Sequence, residues 1–271
     1  MFLPENIDLA YSEKYNLSIR LTPNGFSFCI VCPKDPSVFH FQETTVGSSL
    51  SYFESIKKLI FDLGFFSQPF NKTKVIVVNE LFTLVPGLFF ESSAAKKLFK
   101  FNFHNINGVV LNDSIADNKY YNLFNIDEEI HSILTRHLIN PEFNHQMSIL
   151  LKFFNKQPAE IGEKRCYLDF QETNISVICF SDQGLLSANS FEAINYYDTS
   201  YYITSIWDNL EFDQTSDLLY ISGDTSKQKP VLDTLKKMIY NINEIEFNPR
   251  TVIPKDQIIK LPTDIIADLC V

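Results

Sequence analysis

The chain has no apolar run approaching roughly 18 residues, so no membrane-spanning helix is expected. It also lacks a cationic surplus. Its 23 Lys and Arg stand against 33 Asp and Glu, for a net charge of −10 and a pI near 5.0. That balance argues against nucleic-acid binding through neutralised phosphates, so no nucleic-acid partner is expected. The opening MFLPENIDLAYSEKYN has neither the basic stretch nor the apolar core of a secretory signal, which leads to the expectation of a cytoplasmic protein. Tryptophan occurs once and phenylalanine 25 times. Such a bias implies a core built on Phe, or an aromatic-lined interface.

Chemical motifs are equally sparse. There is no P-loop, no G-x-S-x-G and no G-x-G-x-x-G. The histidines are His40, His104, His131, His137 and His145. None forms H-x-x-x-H, and His131 and His137 do not sit at a spacing that shares a helix face, so no metal site is expected. The cysteines number five: Cys29, Cys32, Cys166, Cys179 and Cys270. An odd count in a reducing compartment reads as thiols rather than a disulfide framework. Cys29-Ile-Val-Cys32 matches C-x-x-C, but it falls in a predicted strand, where residues three apart point to opposite faces.

What is present is a repeated grammar. Around Lys164–Ile194 the pattern reads as two strands, a polar turn at Glu172-Thr173-Asn174, and a third strand broken off by Gly184. The same plan stands earlier at Asn16–Val46. There Leu17–Leu21 and Phe26–Cys32 flank an Asn24-Gly25 turn and Val38–Val46 follows. After the first triplet come a helix over Leu50–Leu63 capped by Ser48 or Ser49, a buried strand Lys74–Asn79, and a loop through Pro86-Gly87. A helix at Ser92–Phe101, a hairpin of Gly108–Asn112 with Tyr120–Ile126, and a helix Glu128–Leu138 capped by Asp127 continue the half. After the second triplet come a helix Asp198–Leu210, with Tyr201, Tyr202, Ile206 and Leu210 on one side, and a buried strand Leu218–Ser222. A helix Lys229–Ile242, a strand Ile245–Asn248 and a short helix begun by Pro262-Thr263-Asp264 close the chain. Each half is therefore βββαβα(β), and the class is α/β with mixed sheets covered by helices. The polar segment Lys156–Lys164 sets a boundary between lobes 1–160 and 161–271.

The segments LSIRLTPNGFSFCIV, KVIVVNELFTLVP, FNIDEEIHSIL, CYLDFQETNISVICF and LLYISGDTSKQKPVLDTL, taken together, resemble the actin-like ATPase (ribonuclease H-like) superfamily. The chain is also similar to an uncharacterised bacterial family of small two-lobed proteins with that fold. The resemblance implies two duplicated lobes, with ATP and Mg²⁺ held at an Asp-x-Gly turn in each. In the first lobe the aspartate position falls near Arg20 or Thr22, neither of which substitutes for a carboxylate on magnesium. In the second lobe Asp169 stands where the motif wants it, but Gln171 replaces the glycine that lets a phosphate approach. Thr173 and Asn174 remain as phosphate-binding candidates. The adenosine turn keeps one glycine in Ser222-Gly223-Asp224, ahead of a predicted helix whose N-terminus suits an anion.

Eroded motifs on a complete fold plan lead to the expectation of a non-catalytic protein-interaction or scaffold protein that uses neither metal nor cofactor. The alternative is a divergent ATP-binding protein or ATPase, with Asp169 as its catalytic carboxylate and with Thr173, Asn174, Ser222, Gly223 and Asp224 holding the nucleotide. It requires Asp169 and the Ser222–Ser226 turn to face each other across a cleft between lobes. A third reading rests on Tyr196-Tyr197-Asp198-Thr199-Ser200-Tyr201-Tyr202, four tyrosines that suit a partner interface or a dimeric module.

Overall fold

A computed structural model describes residues 3–23, 25–46, 50–104, 106–171, 174–192, 195–258 and 260–271. The chain divides into two compact units, Met1–Ile149 with Arg250–Ile253, and Leu150–Pro249 with Pro254–Val271. The division falls inside a helix, ahead of the polar segment where the sequence places it.

In the first unit β1 (Asn16–Thr22), β2 (Gly25–Cys32) and β3 (Asp35–Thr45) form an antiparallel meander. Helix α1 (Tyr52–Asp62) then leads to β4 (Lys72–Val77), which pairs parallel to β1. The expected caps Ser48 and Ser49 lie outside the described residues, as does Asn24 of the first turn. Ser51 caps the helix instead. Its hydroxyl accepts from the Glu54 amide, and the Glu54 carboxylate accepts from the Ser51 amide. Two more helices, α2 (Ala95–Asn102) and α3 (Glu128–His137, capped by Asp127 as expected), and the strands β5 (Phe82–Pro86), β6 (Val109–Ile115) and β7 (Tyr120–Ile126) follow. Strand β8 (Glu142–His145) pairs parallel to β4, and α4 (Gln146–Asn155) leaves it. The sheet order is β3-β2-β1-β4-β8, and a second sheet is β5-β7-β6. The sequence reads residues 82–86 as loop. They form an edge strand, and Pro86 closes it at a position where a missing N–H costs least.

The second unit starts with β9 (Arg165–Phe170), β10 (Asn174–Ser181) and β11 (Gly184–Glu192). Helix α5 (Tyr196–Asn209), β12 (Leu218–Gly223), α6 (Lys229–Leu235) and β13 (Asn241–Glu244) follow, then the short α7 (Lys255–Ile258) and α8 (Thr263–Cys270). Its sheet order, β11-β10-β9-β12-β13, has the same pairing senses as the first. Two sequence readings change here. The helix expected to reach Ile242 ends at Leu235, and the last strand is residues 241–244 rather than 245–248. Pairing of Leu218–Ile221 with Asn241–Glu244 recruits that stretch, and a ladder of backbone bonds overrides local helical periodicity. Helix α5 buries Thr199, Ser200, Ile203 and Trp207, so Tyr201 faces outward.

The Phe-rich core is realised. Phe26, Phe28, Phe65, Phe99, Phe124, Phe154, Phe170 and Phe180 are among the largest fully buried side chains. Phe28 meets Phe65 edge-to-face at 5.2 Å, and Phe65 meets Phe70 likewise at 5.8 Å, the geometry aromatic quadrupoles favour. Among the described residues no helix is long and apolar enough to cross a membrane. Replacing Phe28 by Ala deletes a ring with no exposure and should cost about 3–5 kcal/mol in urea unfolding, whereas Phe28→Leu should cost much less. Equal losses from the two variants would contradict this packing.

Candidate functional site

In open α/β sheets ligands bind beyond the carboxyl ends of parallel strands. Strands β9 and β12 run parallel, and their register sets Ser222 opposite Asp169 and Gly223 opposite Phe170. Asp169 and the Ser222 turn therefore come together as neighbours on one sheet within one unit. The Ser222 hydroxyl donates to Asp169 Oδ1 at 3.0 Å, and the Gln171 side-chain amide donates to Oδ2 at 3.1 Å. A third bond comes from the Thr263 hydroxyl at the start of α8. Asp169 is only 2% exposed. Burial pushes its carboxyl above the usual range and the Asp264 carboxylate adds to that, while the three donors oppose it.

Gly223 has φ +81°, and a Cβ there would lie 2.0 Å from the Phe170 carbonyl oxygen. That close approach requires glycine whether or not any ligand binds. The Asp224 amide donates to the Phe170 carbonyl at 2.9 Å. The Asp224 side chain turns away to Ser226, whose hydroxyl and then amide donate to it and hold its carboxyl below the usual value. The Asn174 carbonyl accepts from the Gln171 amide at 2.8 Å and closes the hairpin. Thr173 lies outside the described residues. Opposite Cys166, Cys179 brings its Sγ to 3.5 Å, a cross-strand thiol pair that spacing alone does not reveal.

The first unit holds a polar cluster that the sequence reading passed over, at the carboxyl ends of β4 and β8. Asp113 accepts from Asn144 Nδ2 and from the His145 amide, each at 2.8 Å. His145 has no exposure and packs between the Phe82 and Phe124 rings, both 5.4 Å away. Its Nδ1 accepts from the Met147 amide at 3.2 Å, which fixes the tautomer. Nε2–H then donates to the Asn79 carbonyl at 3.1 Å. Burial lowers the His145 pKa to about 3. The imidazole is thus a neutral cap for α4. Asn122 Nδ2 donates to the Ser148 hydroxyl at 2.9 Å. The amide of Gln146, fully buried beside them, meets no partner among the described residues, which packing alone does not explain. The sequence signal was the polar run Asn144-His145-Gln146 entering an apolar helix. Among the described residues no three His, Cys, Asp or Glu side chains group to hold a metal.

A family model described as protein of unknown function (DUF3822) matches residues 4–242. The chain belongs to the DUF3822 family. A Bacteroides thetaiotaomicron protein, described as having an actin-like ATPase fold and unknown function, is similar at 29% identity and a TM-score of 0.80. The match covers 94% of the DUF3822 chain and 99% of that one. The PilM–PilN type IV pilus biogenesis complex is similar at 10% identity and a TM-score of 0.56, covering 94% of each chain. No curated protein matches. The DUF3822 protein has the actin-like ATPase fold, as the segments at each hairpin lead one to expect.

Two outcomes follow from this geometry. Gly223→Ala should destabilise the DUF3822 protein by more than about 1 kcal/mol in urea titration, since the new methyl meets backbone rather than a yielding side chain. An unchanged midpoint would contradict the close approach. His145 titrates at about 3 in the folded chain and near 6.5 unfolded. Between those values the unfolded chain binds the extra proton. Stability is therefore complete above about pH 6.5 and falls toward pH 3, by up to about 1.4 kcal/mol per unit. The slope should shrink by up to one proton in His145→Asn, and an unaltered slope would reject a buried neutral imidazole.

Proposed function

We propose that this DUF3822 protein is a non-catalytic cytoplasmic protein that binds another protein through an actin-like scaffold and uses neither nucleotide nor magnesium. The observation that carries the reading is the closure of the Asp169 carboxylate. Both of its oxygens accept hydrogen bonds from the protein's own side chains, and almost no surface remains. A magnesium-held nucleotide does not fit that donor set. To reach a cation or its water, the carboxylate would have to give up Ser222, Gln171 and Thr263. In the first unit the comparable turn offers the buried Arg20, of the wrong charge, and the half-buried Thr22.

Surface composition supports the binding half of the proposal. Phe101 is 82% exposed, Tyr197 69% and Tyr201 67%, unusual placements for large rings in a chain with this many buried ones. The buried cross-strand thiols Cys166 and Cys179, in hydrogen-bond contact and not joined by a disulfide, fit a reducing compartment. The nucleotide-binding alternative keeps one observation in its favour. Asp169 stands at the carboxyl end of β9, where a phosphate turn of this fold would want it.

A thermal scan with and without millimolar Mg-ATP separates the two. Ligand at about 100 times its dissociation constant would add roughly 2.7 kcal/mol, a shift of several degrees for a chain of this size. We expect no shift. A clear shift abolished by Asp169→Asn, which preserves the shape of the buried group, would overturn the proposal and establish a nucleotide site.

A further inference from the structure

We propose that the outer face of α2 is a docking groove for an acidic protein segment carrying an apolar anchor. The inference rests on the reading of this protein as a protein-binding module and supplies the site and the chemistry of its partner.

Helix α2 has two separate faces. Ala95, Leu98 and Phe99 turn inward and join Val85 and Leu123 in a small core beneath the β5-β7-β6 sheet. That burial accounts for the helix as a folded element. Lys96, Lys97, Lys100 and Phe101 turn outward, at spacings of one and four that place them on adjoining rows. With Ser93 and His104 they line an open groove of about 800 Å³. No carboxylate lines it, and among the described residues none of the three ammonium groups is in an ion pair. In a chain of net charge −10 this is a local reversal of sign.

Phe101 is the second observation. It projects from the lysine face with 82% of its surface in water. Solubility and core packing both argue against a phenylalanine there, since each exposed ring forfeits the free energy its burial would supply. A ring framed by three cations is suited to a partner that pairs carboxylates with the lysines and covers the ring with an apolar side chain.

An anionic membrane is the competing occupant, because basic helices with aromatic residues also bind lipid headgroups. One feature decides against it. A bilayer meets the field of the whole chain, whose net −10 repels anionic lipid. A short peptide meets only charges within a screening length of about 8 Å, where the lysines dominate.

The test uses the full chain and a fluorescein-labelled peptide of alternating Asp and Glu around a central Phe-Leu pair, followed by fluorescence anisotropy. A matched peptide with Ser-Ser at the centre is the control, and vesicles of phosphatidylserine with phosphatidylcholine form a parallel sedimentation arm. We expect binding that weakens with added salt and is several-fold weaker for the Ser-Ser peptide. The triple variant Lys96→Glu, Lys97→Glu, Lys100→Glu should weaken it at least tenfold, and Phe101→Ser several-fold. All four side chains are exposed, so the variants should keep their thermal midpoints. Absence of peptide binding, binding indifferent to these variants, or binding that ignores the central Phe-Leu pair would overturn the proposal. Vesicle binding lost in the triple variant, without peptide binding, would overturn it in favour of a lipid surface. Failure here with a thermal midpoint still indifferent to Mg-ATP removes this site alone, because the two measurements share no residue.

Discussion

The parallel pairing of β9 with β12 is the constraint on which the second unit's chemistry depends. It sets Ser222 beside Asp169 and presses Gly223 against the Phe170 carbonyl. Once that register is fixed, the carboxylate has a donor at 3.0 Å and lies inside the protein. Burial of an unsupported carboxylate would be severely unfavourable. Gln171 and Thr263 complete its shell, and α8 is tied to the sheet through the same group. One residue that the motif would assign to magnesium thus serves as a polar junction between two strands and a helix.

The first unit handles the equivalent strand ends differently. It places a histidine where a neutral acceptor is needed to cap α4, and two phenylalanine rings keep water away. The depressed pKa follows from that seclusion, and so does the dependence of stability on acid. In both units the polar groups at the strand ends turn largely inward. Those strand-end positions are bonded within the protein, while Phe101, Tyr197, Tyr201 and the lysines of α2 stand exposed on its helices.

The strand and helix plan was legible because its signals are local. Glycine at turns, alternation in β1, and the capping aspartate at residue 127 need no distant partner to act. What failed to read were elements whose existence depends on a neighbour. Residues 82–86 have little pattern of their own and become a strand only because β7 offers an edge. The helix expected to reach Ile242 stops early because β12 offers another. Spacing groups Tyr201 and Tyr202 with Ile206 and Leu210 on one side of α5 but does not say which side is buried, and the burial of Trp207 and Ile203 turns Tyr201 outward.

The sequence by itself determined the class of fold and the acidic character of the chain, because each is a property of residue identity and short-range order. Only the tertiary structure decided what surrounds Asp169. A carboxylate's role depends on which donors surround it and how much water reaches it, and those donors come from residues as distant in sequence as Ser222 and Thr263. It also decided that His145 is a buried cap and that Phe101 stands among lysines in the open, since burial is set by the whole chain's packing and not by any stretch of it.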